Sequence, residues 1–189
     1  MSAVPQPILT AQEYLEGERL SETKHEFLDG EIYALAGATE PHNLIVCNVL
    51  GELRERLKGR RCRVYPSDMR LQVAETGLFT YPDVMVVCEE PRFVDGTLDT
   101  LLNPKVVFEV LSETTEANDR GWKWAHYRQL ASLVEYVLVA QDVFRVEQFV
   151  RQSNGTWTFR DYLGLDAVAE LPSIQCALPL SEVYYLVDL

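Results

Sequence analysis

Apolar positions along this chain change period several times, and each change marks an element. Residues 11–20 carry Leu15 and Leu20 among polar side chains and predict a short helix. His25-Glu26-Phe27-Leu28 and Glu31-Ile32-Tyr33-Ala34-Leu35 flank Asp29-Gly30, and two short apolar stretches around such a turn predict a β-hairpin. Residues 37–41 break the pattern. From 42 to 58, Val46, Val49, Leu50, Leu53 and Leu57 recur at helical spacing, and Gly59 supplies a stop. Residues 62–73 have mixed strand character with an irregularity at Pro66, 75–77 read as a turn, and 79–88 form the second arm of a hairpin. A long loop is expected over 89–103; such loops are often functional, and a disordered connection fits equally.

Residues 105–111 are almost continuously apolar, as in a strand covered on both faces. The Ser, Thr, Glu and Asn residues of 112–119 offer caps for a helix over about 119–131. Strands follow at 134–140, 143–150 and 156–162, the last two joined through Asn154-Gly155, and 178–189 predicts a short closing helix with Ser181 as its N-cap. A strand–helix–strand crossover near 105–140 among antiparallel strands places the chain in the α/β class, a mixed β-sheet flanked by helices. One domain over 1–189 is expected, with its core at about 13–165.

Composition narrows the function. With 47% hydrophobic and 24% charged residues the chain is ordinary for a globular protein. It shows no apolar run of membrane-spanning length and no signal-peptide pattern, so a cytoplasmic location is expected. Four scattered cysteines form no C-x-x-C pair and read as reduced thiols. A formal net charge of -12 argues against coating nucleic acid by bulk electrostatics, so any such binding needs a local basic patch. Arg54, Arg56, Lys58, Arg60, Arg61 and Arg63 are the candidate; a solvated helix end that suits the macrodipole explains them as well.

The chemistry concentrates in two apolar runs that each hold one acid: Tyr81-Pro82-Asp83-Val84-Met85-Val86-Val87 and Val106-Val107-Phe108-Glu109-Val110-Leu111. A carboxylate there must be paired, protonated or metal-bound. On neighbouring strands, Asp83 and Glu109 are spaced to share a hard cation such as Mg²⁺ or Mn²⁺, with the Val110 carbonyl as a further oxygen. Glu109 on an open sheet face, opposite Phe108 and Val110, is the competing reading. Asp119, Lys123 and Tyr127 stand four apart on the following helix, and Lys123 could reach back to orient a metal-bound water. A surface ion pair and a core-edge tyrosine are the plainer alternatives. His42 invites a general-base role, although a lone histidine at a helix start more often caps or packs. Trp122 and Trp124 flank Lys123 and suit either base stacking or core cover.

In order along the chain, Lys24-His25-Glu26-Phe27-Leu28-Asp29-Gly30-Glu31-Ile32, Thr39 to Asn43, Tyr81-Pro82-Asp83-Val84, Val107-Phe108-Glu109-Val110-Leu111-Ser112 and Asp119 to Tyr127 resemble the PD-(D/E)XK nuclease superfamily, and more closely the Uma family of restriction-endonuclease-like proteins within it. The resemblance implies a restriction-endonuclease-like fold and a divalent-metal-dependent endonuclease acting on DNA. Asp83 and Glu109 would be the catalytic and metal-binding acids, and Glu26 an additional acid. The superfamily usually places lysine two residues after the second acid; here that residue is Leu111, so Lys123 would take the role. A homodimer is expected by analogy. The alternative function is a non-catalytic module of the same fold that serves as a homodimer or interaction protein.

Overall fold

The computed structural model describes residues 9–189. Thr10 caps α1 (Ala11–Glu18) through a reciprocal capping box with Glu13. The hairpin β1 (His25–Leu28) and β2 (Glu31–Ala34) turns at Asp29 and Gly30, whose φ values of 51° and 87° are those a tight hairpin demands. α2 (Glu40–Arg56) follows, capped by Thr39. The chain then builds β3 (Arg63–Pro66), β4 (Arg70–Val73), β5 (Leu78–Thr80), β6 (Val84–Val87), β7 (Thr100–Leu101) and β8 (Val106–Val110). A helical segment comes next, made of α3 (Glu116–Asn118), a π-helical turn (Asp119–Lys123) and α4 (Trp124–Tyr127). Strands β9 (Glu135–Val139), β10 (Arg145–Arg151), β11 (Trp157–Leu163), β12 (Val168–Leu171) and β13 (Cys176–Pro179) and the short α5 (Leu180–Val183) close the chain.

The expected α/β architecture is present, but the strands divide among separate sheets. A six-stranded sheet runs β11-β10-β9-β8-β6-β3 and a five-stranded sheet runs β2-β1-β5-β4-β7, while β12 and β13 form their own hairpin. The expected crossover is the parallel β8–β9 pair. The expected hairpin of 62–73 with 79–88 is present but bends across both sheets: β5 pairs antiparallel with β4 in the five-stranded sheet, and β6 with β3 in the six-stranded one. Tyr81-Pro82-Asp83 is the corner where the chain changes sheets, since proline cannot donate to a ladder. That corner places Asp83 at the seam between the sheets.

Period-two alternation decides which way each side chain of β8 faces. Val106, Phe108 and Val110 join a core with Ile45, Val49 and Leu53 of α2. Val107 and Leu111 face the other side, packed with Leu71, Leu78, Tyr127 and Tyr136. Glu109 shares their face, so it lies between the sheets and is not on an open surface.

The segment 89–103 is ordered. Arg19 reaches from the end of α1 to Asp99 (2.7 Å) and Asp95 (2.8 Å) within it. The Arg19 guanidinium holds the Asp99 carboxyl well below its ordinary value of 3.8. A depressed folded-state pKa contributes stability that is complete above that ordinary value and is lost as pH falls below it. Pepsin cleavage within 89–103 is therefore expected to accelerate below about pH 4, and Asp99→Asn to bring part of that sensitivity to higher pH; a cleavage rate indifferent to both would contradict the clamp.

Two of the four cysteines are not the free thiols expected. β3 pairs with β6 so that Arg63 faces Val87, which sets the flanking Cys62 and Cys88 side by side as a disulfide. Cys47 and Cys176 are free. Among the described residues, no helix is long and apolar enough to cross a membrane.

Candidate active site

Five elements contribute side chains to the seam between the sheets. β1 supplies Glu26, the N-terminus of α2 supplies His42, the corner before β6 supplies Asp83, β8 supplies Glu109, and the helical segment after β8 supplies Asp119, Lys123 and Tyr127. A cavity of about 360 Å³ opens here, lined by Asp83, Glu109, Lys123 and His42, with Lys24 and Tyr81 on one side and Ser112, Thr114 and Thr115 on the other.

Lys123 is the hub. Its ammonium lies 3.2 Å from Glu109 Oε1, 3.0 Å from Asp119 Oδ1 and 3.7 Å from Glu26 Oε1, and all four groups are buried. The surface ion pair between Asp119 and Lys123 that spacing alone permits is thus a buried cluster. Tyr127 donates its hydroxyl to Glu109 Oε1 at 2.8 Å, and Thr80 donates to Glu26 Oε1. The π-turn seats the lysine: Tyr136, buried beneath it, donates its hydroxyl to the Asp119 carbonyl at 3.0 Å. Such wide turns recur where a helix must aim a functional side chain.

Asp83 is held from two sides. The Val110 N–H donates to Oδ2 at 2.7 Å, and His42 Nε2 lies 3.1 Å from Oδ1. His42 thus orients an acid and does more than cap its helix. Within an extended strand the carbonyl of a residue projects to the same edge as its N–H, so the Val110 carbonyl opens toward the Asp83 side.

Burial works against the charged forms here. It pushes the Glu109 carboxyl well above the usual carboxylate range and raises Asp119, with Lys123 opposing in both cases and Asp83 adding repulsion. Burial also works against the Lys123 ammonium, but Glu109, Asp119 and Glu26 together overcome it and keep the lysine well above its ordinary value. Tyr127 is raised as well, by burial first and then by Glu109, so it remains a donor.

The donor chemistry fits a hard cation. Four acids face one buried ammonium, which leaves negative charge in excess. Both hydrogen bonds that Glu109 accepts among the described residues go to Oε1, leaving Oε2 for the cavity. Among those residues, however, no group of three or more His, Cys, Asp or Glu side chains has the arrangement of a metal cage. Two carboxylates with backbone, water or substrate oxygens are the set available, which suits Mg²⁺ better than a cation that demands an all-protein shell.

Sequence reasoning singled out Glu26, His42, Asp83, Glu109, Lys123 and Tyr127, and the structure brings them together. It missed Thr80, which carries no local signal, and it gave no role to Lys24, which opens the first of the matching stretches. Trp124 turns out to be packing: it stacks on Tyr136 and Phe149 at centroid distances of 5.5 and 4.6 Å and meets Trp157 edge-on.

The mixed sheets with flanking helices match a restriction-endonuclease-like nuclease fold. The family described as "Uma2: Putative restriction endonuclease" matches residues 11–181, and the chain belongs to it. The Synechocystis sp. protein sll1609 is 38% identical over 163 residues, which cover 86% of this chain and 92% of that protein. A second Synechocystis protein, slr1290, is 34% identical over 182 residues, covering 96% and 94%. Among solved structures, a protein of Anabaena variabilis titled a putative nuclease of DUF820 superposes with a TM-score of 0.75 at 17% identity, covering 95% of this chain and 99% of that one; the likeness shows the shared fold.

Proposed function

We propose that this protein is a divalent-metal-dependent endonuclease that hydrolyses phosphodiester bonds of DNA. The observation that carries the reading is the convergence of Asp83, Glu109 and the Lys123 ammonium on one cavity, although the lysine comes from the π-turn and not from the strand. Mg²⁺ or Mn²⁺ would be held by Asp83 and Glu109, with the Val110 carbonyl as a backbone oxygen, and would supply Lewis-acid charge and an acidified water.

The chain's own groups do the rest. The Val110 N–H and His42 fix the Asp83 carboxylate, so it is preorganised and loses no entropy on engaging a ligand. Tyr127 and Lys123 fix Glu109 through one oxygen and leave the other open. Lys123, whose ammonium Glu109, Asp119 and Glu26 favour, stands at the cavity wall, where it would oppose the negative charge that grows on an attacked phosphate. Serving a duplex with one site per strand makes a homodimer part of the proposal.

Nicking of supercoiled plasmid tests it. The wild type should nick only with added Mg²⁺ or Mn²⁺, and Asp83→Ala should slow nicking by at least about 10²-fold. Metal-independent nicking, or an Asp83→Ala protein as fast as wild type, would contradict the assignment.

A further inference from the structure

The cavity walls offer a polyanion no excess of positive charge, since Lys24 and Lys123 only match Asp83 and Glu109 and Lys123 is also paired with Glu26 and Asp119, and the chain as a whole carries -12. One surface runs against that sign. Six cations fall within the ten positions 54–63, at the far end of the helix whose N-terminus walls the cavity. Three are occupied: Arg56 pairs with Glu52 at 2.8 Å, Arg60 donates to the carbonyls of Ile174 and Gln175, and Arg63 stands 3.9 Å from Glu90. Arg54, Lys58 and Arg61 are exposed, and among the described residues no carboxylate lies within ion-pair distance of them. A favourable macrodipole accounts in part for Arg54, in the last turn, and less for Lys58, just past it. It does not account for Arg61, which lies beyond the helix.

The two ends of α2 are joined by one exposed face. Ile45, Val49 and Leu53 are buried, whereas Asn43, Cys47, Gly51 and Arg54 are exposed at spacings of three and four, the repeat of a single helical face, and Lys58 follows in the turn after the helix. Asn43 lines the cavity. Between it and Arg54 that exposed face carries Cys47 and Gly51, and apart from its chain neighbours and the helix's own backbone no atom lies within 4 Å of where a Cβ of Gly51 would sit. The face leads from the cavity to a cluster in which six cations stand against one acid, the exposed Glu55, and in which Arg54, Lys58 and Arg61 have no ion-pair partner among the described residues. Eleven residues of helix span about 17 Å, or about five base pairs of a duplex, and this exceeds the screening length of about 8 Å, so the acids of the cavity do not cancel the patch.

We propose that Arg54, Lys58 and Arg61 form a second DNA-contact site that grips the phosphate backbone about five base pairs from the scissile bond and supplies the electrostatic affinity the cavity lacks. The proposal rests on the nuclease reading above. It makes binding depend on duplex length: a duplex too short to lie along α2 gains nothing from the patch.

The test compares wild type with Arg54→Gln/Lys58→Gln and with Arg128→Gln/Arg160→Gln, which removes the same charge from exposed positions elsewhere. Affinity for duplexes of about 6 and about 30 base pairs is measured from about 50 to 200 mM salt, and thermal melts check that each variant is folded. For the long duplex, Arg54→Gln/Lys58→Gln should flatten the slope of log K against log salt by about two and lose most of the affinity that wild type gains with length. The control pair should keep the wild-type slope. Equal slopes in all three proteins, or equal losses in both variants, would overturn the second contact while leaving the nuclease reading intact. A wild type that neither binds nor nicks DNA would instead remove the nuclease reading and this inference with it.

Discussion

Lys123→Met is expected to destabilise the protein by about 3–5 kcal/mol and to abolish nuclease activity together, because it strips the ammonium from three buried carboxylates at once. Glu26, Glu109 and Asp119 all lie within 4 Å of Lys123 Nζ, and no other cation is that close to them among the described residues. The loss would come chiefly from uncompensated buried charge, since an intact buried pair itself returns little. The origin is checkable by a double-mutant cycle: adding Glu109→Gln to Lys123→Met should recover at least about 1 kcal/mol in urea unfolding while activity stays absent. A Lys123→Met protein as stable as wild type would mean that the acids are protonated or solvated, and the electrostatic account of the site would fail.

Glu109→Gln alone is expected to act in the opposite sense on stability. Burial raises this carboxyl well above the ordinary range, so between the ordinary value and the raised one the unfolded chain binds fewer protons, and stability falls as pH rises through that window. An amide in the same place keeps an oxygen for Tyr127 and Lys123 and removes one of four clustered acids. Metal-free Glu109→Gln should therefore be more stable than wild type near neutral pH, the usual exchange of stability for function at an active site. Saturating Mg²⁺ or Mn²⁺ should stabilise wild type and leave the variant unchanged, closing the gap. Activity should be lost. A variant less stable than wild type without metal would show that the carboxylate is a net structural asset.

What could be read from sequence was what local chemistry decides. Asp29-Gly30 dictates its hairpin because both residues must take positive φ, and Asp83 and Glu109 stand out because an acid inside an apolar strand needs a reason. The helix over 42–58 is present as Glu40–Arg56. What remained hidden depends on partners far away in the chain. The division into two sheets turns on β5, which pairs on one edge with β4 just before it and on the other with β1 from far earlier in the chain. The link between Cys62 and Cys88 exists only once β3 lies beside β6. His42 reads as a helix cap until the fold brings Asp83 to it from 41 residues away. The hairpin of β12 and β13 was missed although 168–171 alternate exposed and buried, because Pro172 and Pro179 and the brevity of both strands obscure the period.

The most direct test of the central claim is calorimetric titration of Mg²⁺ and of Mn²⁺ into wild type and Asp83→Ala. The account predicts saturable binding to wild type that Asp83→Ala lacks while it remains folded by its melting curve. No binding to wild type, or equal binding to both proteins, would contradict a metal centre on Asp83 and Glu109.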